Sequence, residues 1–522
     1  MHSKAVKNIK LYLICIVLAT LFAAIYSTTT TPLLSGRWGT DSAFFIIVGQ
    51  GMAKGLLPYR DFFDMKGPYL FFLEFIGQKI CIGRTGAFII QCINLSVCLY
   101  IAAKISDLFA KTFIWIHRCL CFLPMFLIAA VTFEGGNLTE EFCLPTILLS
   151  IYFCLKYFKD SEDKKSYKHP VLFSLYNGFA VGYLCFIRIT NAATIGAVLL
   201  TVFIFLLARK EIKNALINLL MVAAGFVAAC GIPCIFFAAK NMLGEMLSQV
   251  FVFGVTYSSE ISMGEKFVNV FTTFKLFLLL LLVPVITCFI YREKWYMKML
   301  AISSCLLLLL AVTMGNAYMH YFTLLIPHVV MGFAIAYKNS GKFRGARRNK
   351  LFIVCMALVF LLNSVQFVKS TAKGAFTFYS CSLLSSGKTL ADVPDAIKSI
   401  PGAEDNIFTG EVNAQALEIA SHIPDAEKNS VYCFGDEYWS WWYGVTGIIP
   451  SYKYMDWHQN YLELMPELES EIAAWIRTGG STWIVTTNEE KPLSDEVFDA
   501  INENYEAEFA NEAYTLYHRV SK

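Results

Sequence analysis

Charge is scarce in this sequence. Of 522 residues only 16% are Asp, Glu, Lys or Arg, while 56% are hydrophobic. Soluble domains carry about 25% charged residues, so a chain of this composition is built largely for lipid. The net charge of +3 is too small to argue for nucleic acid, and no basic run is interleaved with aromatics for that purpose. There is no P-loop and no GxGxxG fingerprint, which removes the usual nucleotide cradles. The 16 cysteines show no zinc-type spacing. Most, such as Cys92, Cys98, Cys154 and Cys305, stand singly inside apolar segments and read as small buried hydrophobes. Only Cys381 and Cys433 fall in the polar C-terminal part, where spacing leaves a disulfide between them open. Nor is there a clear internal repeat of the kind many transporters show.

What is present is a succession of long apolar runs. A membrane helix needs about 20 mostly apolar residues. That test picks out residues 9–27, 84–104, 113–133, 141–157, 171–187, 191–208, 214–238, 271–291, 298–314, 320–337 and 351–369, about 11 spans in all. The first has the basic start of a signal peptide, but so much hydrophobic sequence follows that an uncleaved helix is expected. Lys4, Lys7 and Lys10 precede it, and "KYFKDSEDKKSYKH", "ARKEIKN", "YREKWYMK" and "YKNSGKFRGARRNK" fall in alternate connections. The positive-inside rule therefore predicts a cytoplasmic N-terminus, and an odd number of spans puts residues 370–522 outside.

Two outer parts stand out. The loop at 28–83 is far longer than its neighbours. Within it, "DSAFFIIVGQGMAK" (41–54) sets Phe45, Val48 and Met52 on one helical face, which predicts a short helix lying in the interface. "PYLFFLEFIGQKI" (68–80), interrupted by Glu74 and Lys79, is too short to span and is expected to dip into the interface too. In the C-terminal part, strand-like "SVYCFG" and "STWIVTT" flank helical "YLELMPELESEIAAWIRTGG", the pattern of a small α/β domain. The expected fold is thus an α-helical polytopic membrane protein, residues 1–370, with a small extracytoplasmic α/β domain over 371–522. The stretch "DEYWSWWYG" suits core packing first, and sugar stacking or interfacial docking second.

Polar residues gather at the outer ends of the spans. "GRWGTDSAFF" (36–45) and "PYRDFFDMKGPYLFF" (58–72) hold Asp41, Asp61, Asp64 and Lys66. Each has a plain explanation: Asp41 as a helix N-cap, Asp61 and Asp64 as turn formers, Lys66 reaching to headgroups. "EGGNLTEEF" places Asn137, Glu140 and Glu141 where a short loop enters a span, and one acid there suits a helix N-terminus. Arg188 and Asn191 in "FIRITNA" sit between two spans with almost no loop, and "GNAYMHYFTLLIP" sets His320 and Tyr321 at a helix mouth. A cation at that depth is costly unless paired or solvated.

Acids, cations and aromatics at one rim of a helical bundle suit sugar transfer from a lipid-phosphate donor. The prenyl tail lies in hydrocarbon while phosphate and sugar sit at the interface. A carboxylate takes the acceptor's proton, and Arg or Lys offsets the departing phosphate's charge.

The layout resembles the polytopic GT-C glycosyltransferases, in particular the bacterial relatives of protein O-mannosyltransferases and aminoarabinose transferases. Asp41 in "GTDSAFF", with the downstream "GMAKGLLPYRDFFDMKGP", looks like that family's first outer loop. "KGP" at 66–68 resembles its Lys-Pro-rich segment, and "GGNLTEE" and "MHYFTLLIP" resemble further features of the bacterial branch. Many members carry paired acids at the first-loop site, whereas Asp41 is followed by Ser42, so Glu140, Glu141 and Asp64 are all eligible as a second carboxylate.

The resemblance implies Asp41 as general base. It implies Lys66, Arg188 and His320 at the donor phosphate, Glu140 or Glu141 holding sugar or acceptor hydroxyls, and Asp64, Asn137 and Tyr321 completing the set. The implied partners are a polyprenyl-phosphate-sugar donor, a cell-envelope acceptor (glycan, lipid or protein) and the bilayer. No cofactor is required, although these carboxylates would accommodate a divalent metal. Two other classes stay open: a polyprenyl-linked glycan flippase or small-solute carrier, and a non-catalytic envelope scaffold. Charges at span ends rather than at the midplane weigh against transport.

Overall fold

The first apolar run forms α1 (His2–Tyr26), about 37 Å long at 1.5 Å per residue and so long enough to cross a bilayer. The computed structural model describes residues 2–34, 38–110, 113–259, 261–314, 318–340, 347–372, 413–434, 439–455, 459–488 and 494–520. After α1 come α2 (Thr40–Ala53), α3 (Pro68–Ile80), α4 (Arg84–Asp107), α5 (Ile114–Thr132), α6 (Thr139–Lys164), α7 (Val171–Arg188), α8 (Ala193–Ala208) and α9 (Ile212–Ala238). A series of short helices follows: α10 (Leu243–Leu247), a π-helical turn (Ser248–Phe253), α11 (Gly254–Ser259) and α12 (Met263–Thr273). The bundle ends with α13 (Val283–Ile290), α14 (Trp295–Thr313), α15 (Leu325–Ser340) and α16 (Arg347–Leu362).

Among the described residues, eight helical stretches are long and apolar enough to cross a membrane, and two bent pairs bring the number to ten. One of the eight, Val171–Ala208, is 38 residues long. It folds back at Arg188–Ala192, since Arg209 at its far end lies over the Tyr167 ring at 4.3 Å. Nine of the eleven expected segments therefore correspond to a helix each, while 271–291 and 351–369 fall on the two bent pairs. The chain is a multi-pass membrane protein. α15 runs through the middle with 83% of its span window buried, while α9 lies at the rim with 17%. α9 is joined to the bundle by close contact with α7. A Cβ on Gly178 or Gly225 would meet a backbone carbonyl of the other helix at 2.0–2.1 Å, the small-residue packing that holds helices together in lipid.

α2 is a helix as expected, but it does not lie on a lipid surface. Every residue from Ser42 to Gly49 is buried. One side packs on α3, where Gly49 leaves room for Glu74, and the other meets the helix Trp439–Thr446. Nor does Asp41 cap the helix. Gly39 is the N-cap and Asp41 sits in the first turn.

The C-terminal part carries a four-stranded mixed sheet of β1 (Val431–Phe434), β2 (Trp483–Thr487), β3 (Tyr505–Ala510) and β4 (Tyr514–Arg519), in the order β1-β2-β4-β3. β1 runs parallel to β2, and the other neighbours are antiparallel. The sheet region docks on the first long loop. The Phe63 N–H donates to the Lys453 carbonyl at 2.8 Å, and the Phe63 ring meets Tyr454 and Tyr461. Of the aromatic stretch, Trp442 and Tyr443 are buried, and Tyr443 Oη accepts the Cys433 N–H at 2.8 Å. These rings act as core. Cys433 is a buried free thiol, while Cys381 and residues 435–438 lie outside the described residues.

Candidate functional site

The loop between α2 and α3 is bonded to itself. Tyr59 takes a left-handed φ of 71°, strained for a bulky residue. Its N–H donates to the Phe62 carbonyl at 2.8 Å, and its hydroxyl donates to the Lys66 carbonyl at 2.7 Å. Asp64 Oδ1 accepts the Lys66 N–H at 2.6 Å. The "KGP" at its end divides the work. Lys66 supplies the charge, Pro68 starts α3 at a position that needs no N–H, and Gly67 permits contact with α7. A Cβ on Gly67 would lie 2.0 Å from the Phe186 carbonyl oxygen. Phe186 itself departs from helical geometry.

The Lys66 ammonium is partly buried beside Phe45, 5.9 Å from the ring centroid. Burial pulls it down, but the charges of Asp41 and Asp64, with the phenols of Tyr321 and Tyr257, outweigh this and hold it above the ordinary lysine value. Burial raises Asp64, offset in part by Lys66. Among the described residues Lys66 Nζ has no hydrogen bond or ion pair, and neither has the Asp41 carboxylate. Of the charges that act on the Lys66 ammonium, the Asp41 carboxylate is the leading one.

The facing wall is built from helix ends. Arg188 adopts an extended conformation where α7 stops. Its Nη1 lies 2.6 Å from Glu140 Oε1 at the start of α6, and its guanidinium stacks 3.5 Å over the Tyr321 ring. Glu140 is fully buried and also accepts from Thr139 Oγ1 at 2.8 Å. Its two carboxylate oxygens thus meet Arg188 and Thr139. His320 Nδ1 pairs with Glu134 at 2.7 Å, and Asp41 and Glu140 are its other acidic neighbours. Between α5 and α6, four successive residues, Glu134 to Asn137, have positive φ, which explains the Gly-Gly-Asn there. This turn docks on the threonines after α1, with Thr29 Oγ1 donating to the Gly135 carbonyl at 2.7 Å.

Seven expected residues therefore converge at one end of the bundle: Asp41, Asp64, Lys66, Glu140, Arg188, His320 and Tyr321. Asn137 and Glu141 do not join them. Glu141 is bonded to Gln91 Nε2 at 2.8 Å and to the Leu138 N–H at 3.1 Å. Asn137 and Glu74 are buried beside each other and have no further partner among the described residues. Burial, countered by Asn137 and reinforced by Glu141, pushes the Glu74 carboxyl up to about 8. Sequence reasoning missed Tyr59, Glu134 and Gln249. Glu134 carries a signal, since it opens the "EGGN" that leads into Glu140 and Glu141. Among the described residues no group of three or more His, Cys, Asp or Glu could hold a metal ion.

No family model matches the sequence, and no curated protein matches it. Solved structures do. ArnT from Cupriavidus metallidurans, bound to undecaprenyl phosphate, superposes with a TM-score of 0.58 at 10% identity, covering 98% of both chains. The same protein in the apo state gives 0.57 at 11% identity, again with 98% of both chains covered. The archaeal oligosaccharyltransferase AglB from Archaeoglobus fulgidus, in complex with an inhibitory peptide and a dolichol-phosphate, gives 0.44 at 12% identity, covering 98% of this chain and 74% of that one. The similarity to ArnT is one of fold. The chain has the GT-C fold of polytopic membrane glycosyltransferases.

Proposed function

We propose that this chain is a membrane glycosyltransferase, moving a monosaccharide from a polyprenyl-phosphate carrier to a cell-envelope acceptor on the outer face of the membrane. The observation that carries the reading is the meeting of Asp41, Lys66 and Arg188 at one end of the bundle. The fold is that of a protein solved with undecaprenyl phosphate bound.

The chemistry follows from the side chains. Asp41 takes the proton from an acceptor hydroxyl, whose oxygen bonds to the anomeric carbon. The bond from that carbon to the phosphate oxygen breaks, and its electron pair stays on the phosphate. Lys66 and Arg188 offset the charge that develops there, in a partly buried setting where such stabilisation is strong. The Arg188 fork, oriented by Glu140 and Tyr321, gives planar recognition that an ammonium does not. His320, paired with Glu134, adds a further donor at the rim. The positive-inside pattern supports an outward-facing site and an extracytoplasmic α/β domain over 371–522, which would cover the acceptor side.

The test is turnover in lipid nanodiscs with a panel of polyprenyl-phosphate monosaccharides and an envelope acceptor fraction. Wild type transfers sugar, and Asp41→Asn does not while melting at the same temperature. Tight donor binding without turnover in wild type would turn the reading toward a flippase.

A further inference from the structure

We propose that Gln249 is a positioning residue for Lys66, resting on the reading of Lys66 as a phosphate-binding ammonium. Gln249 lies in the π-helical turn Ser248–Phe253. Such turns are rare and recur at functional sites. Its side-chain amide reaches across to the first long loop and uses both ends there. Oε1 accepts the Asp64 N–H at 3.2 Å, and Nε2 donates to the Tyr59 carbonyl at 2.8 Å.

Those two residues are the ones that fix the Lys66 backbone. Asp64 accepts the Lys66 N–H, and the Tyr59 hydroxyl donates to the Lys66 carbonyl. Gln249 therefore closes a ring of four hydrogen bonds whose far point is Lys66. One of its anchors, Tyr59, is held in a left-handed conformation that relaxes unless the surroundings enforce it.

The same turn packs on the support of the second cation. Phe251 meets Phe186 edge-on at 5.2 Å, two residues before Arg188. Phe253 meets Phe63 at 4.9 Å, next to Asp64. The turn thus touches residues that flank both proposed phosphate ligands without itself supplying a charge. Gln249 acts through Lys66, and its loss loosens the ammonium rather than removing it.

The probe is polyprenyl phosphate, titrated into the full chain in nanodiscs. Four proteins are compared: wild type, Gln249→Met, Lys66→Met and the double variant. Met keeps the length of Gln and removes both hydrogen bonds. Gln249→Met is expected to weaken binding by about tenfold, the scale of the hydrogen bonds lost. Lys66→Met is expected to weaken it further, and the double variant to bind no more weakly than Lys66→Met alone, since coupled residues are not additive. Losses that multiply in the double variant would overturn the proposal, as would wild-type binding by Gln249→Met. Wild-type binding by Lys66→Met would instead overturn the phosphate reading itself.

Discussion

The Gly67 N–H donates to the Ile187 carbonyl at 3.2 Å. This one bond joins the residue after Lys66 to the residue before Arg188. The two cations of the site are therefore tied through adjacent backbone, although they come from segments more than a hundred positions apart. The approach is possible only because Gly67 has no side chain.

That contact can be tested directly. Gly67 has φ −75° and ψ 153°, which alanine adopts freely. Gly67→Ala is therefore penalised by space alone, since its Cβ would lie 2.0 Å from the Phe186 oxygen. We expect a stability loss of about 1–3 kcal/mol, the range of overpacked sites, together with a larger fall in activity than in melting temperature. Thermal melts and transfer rates on one preparation check this.

Arg188→Lys keeps the charge but loses the fork that meets Glu140 at 2.6 Å and the plane that stacks on Tyr321 at 3.5 Å. We expect kcat/KM to fall by roughly tenfold or more, because Arg and Lys are not interchangeable where the guanidinium plane stacks on a ring. A variant with wild-type kinetics would show that only the charge at 188 matters.

Glu74 links stability to pH. Its folded carboxyl is pushed up to about 8, against about 4.3 in an unfolded chain. Between these values the unfolded state has lost the proton and the folded state still holds it. Stability therefore falls as pH rises from about 4.3 to 8, by an amount on the order of a few kcal/mol. Glu74→Gln removes that slope. Its melting temperature is expected to gain on wild type steadily from pH 5 to pH 8, and parallel curves would contradict the assignment.

The residues legible in the sequence are those whose type is out of place in lipid. Arg188 between two apolar runs, Lys66 before Gly-Pro and the acids of "EGGNLTEE" each break a hydrophobic pattern, and the helix ends bring most of them together. Gln249 was not legible, because an amide is unremarkable in sequence and its partners lie 185 and 190 positions away. α2 misled for a similar reason. Its pattern placed one apolar face in lipid, but its other side is covered by Trp439–Thr446, which local periodicity cannot show. Glu140 and Glu141 look equivalent as a pair, yet the helical turn of about 100° between neighbours sends one to Arg188 and the other to Gln91.

The most direct test of the central claim measures donor binding and donor turnover on the same Asp41→Asn preparation in nanodiscs, beside wild type. If Asp41 is the base and the cations hold the phosphate, the variant binds a polyprenyl-phosphate monosaccharide as wild type does and releases no polyprenyl phosphate from it. Undiminished release by Asp41→Asn would contradict the account.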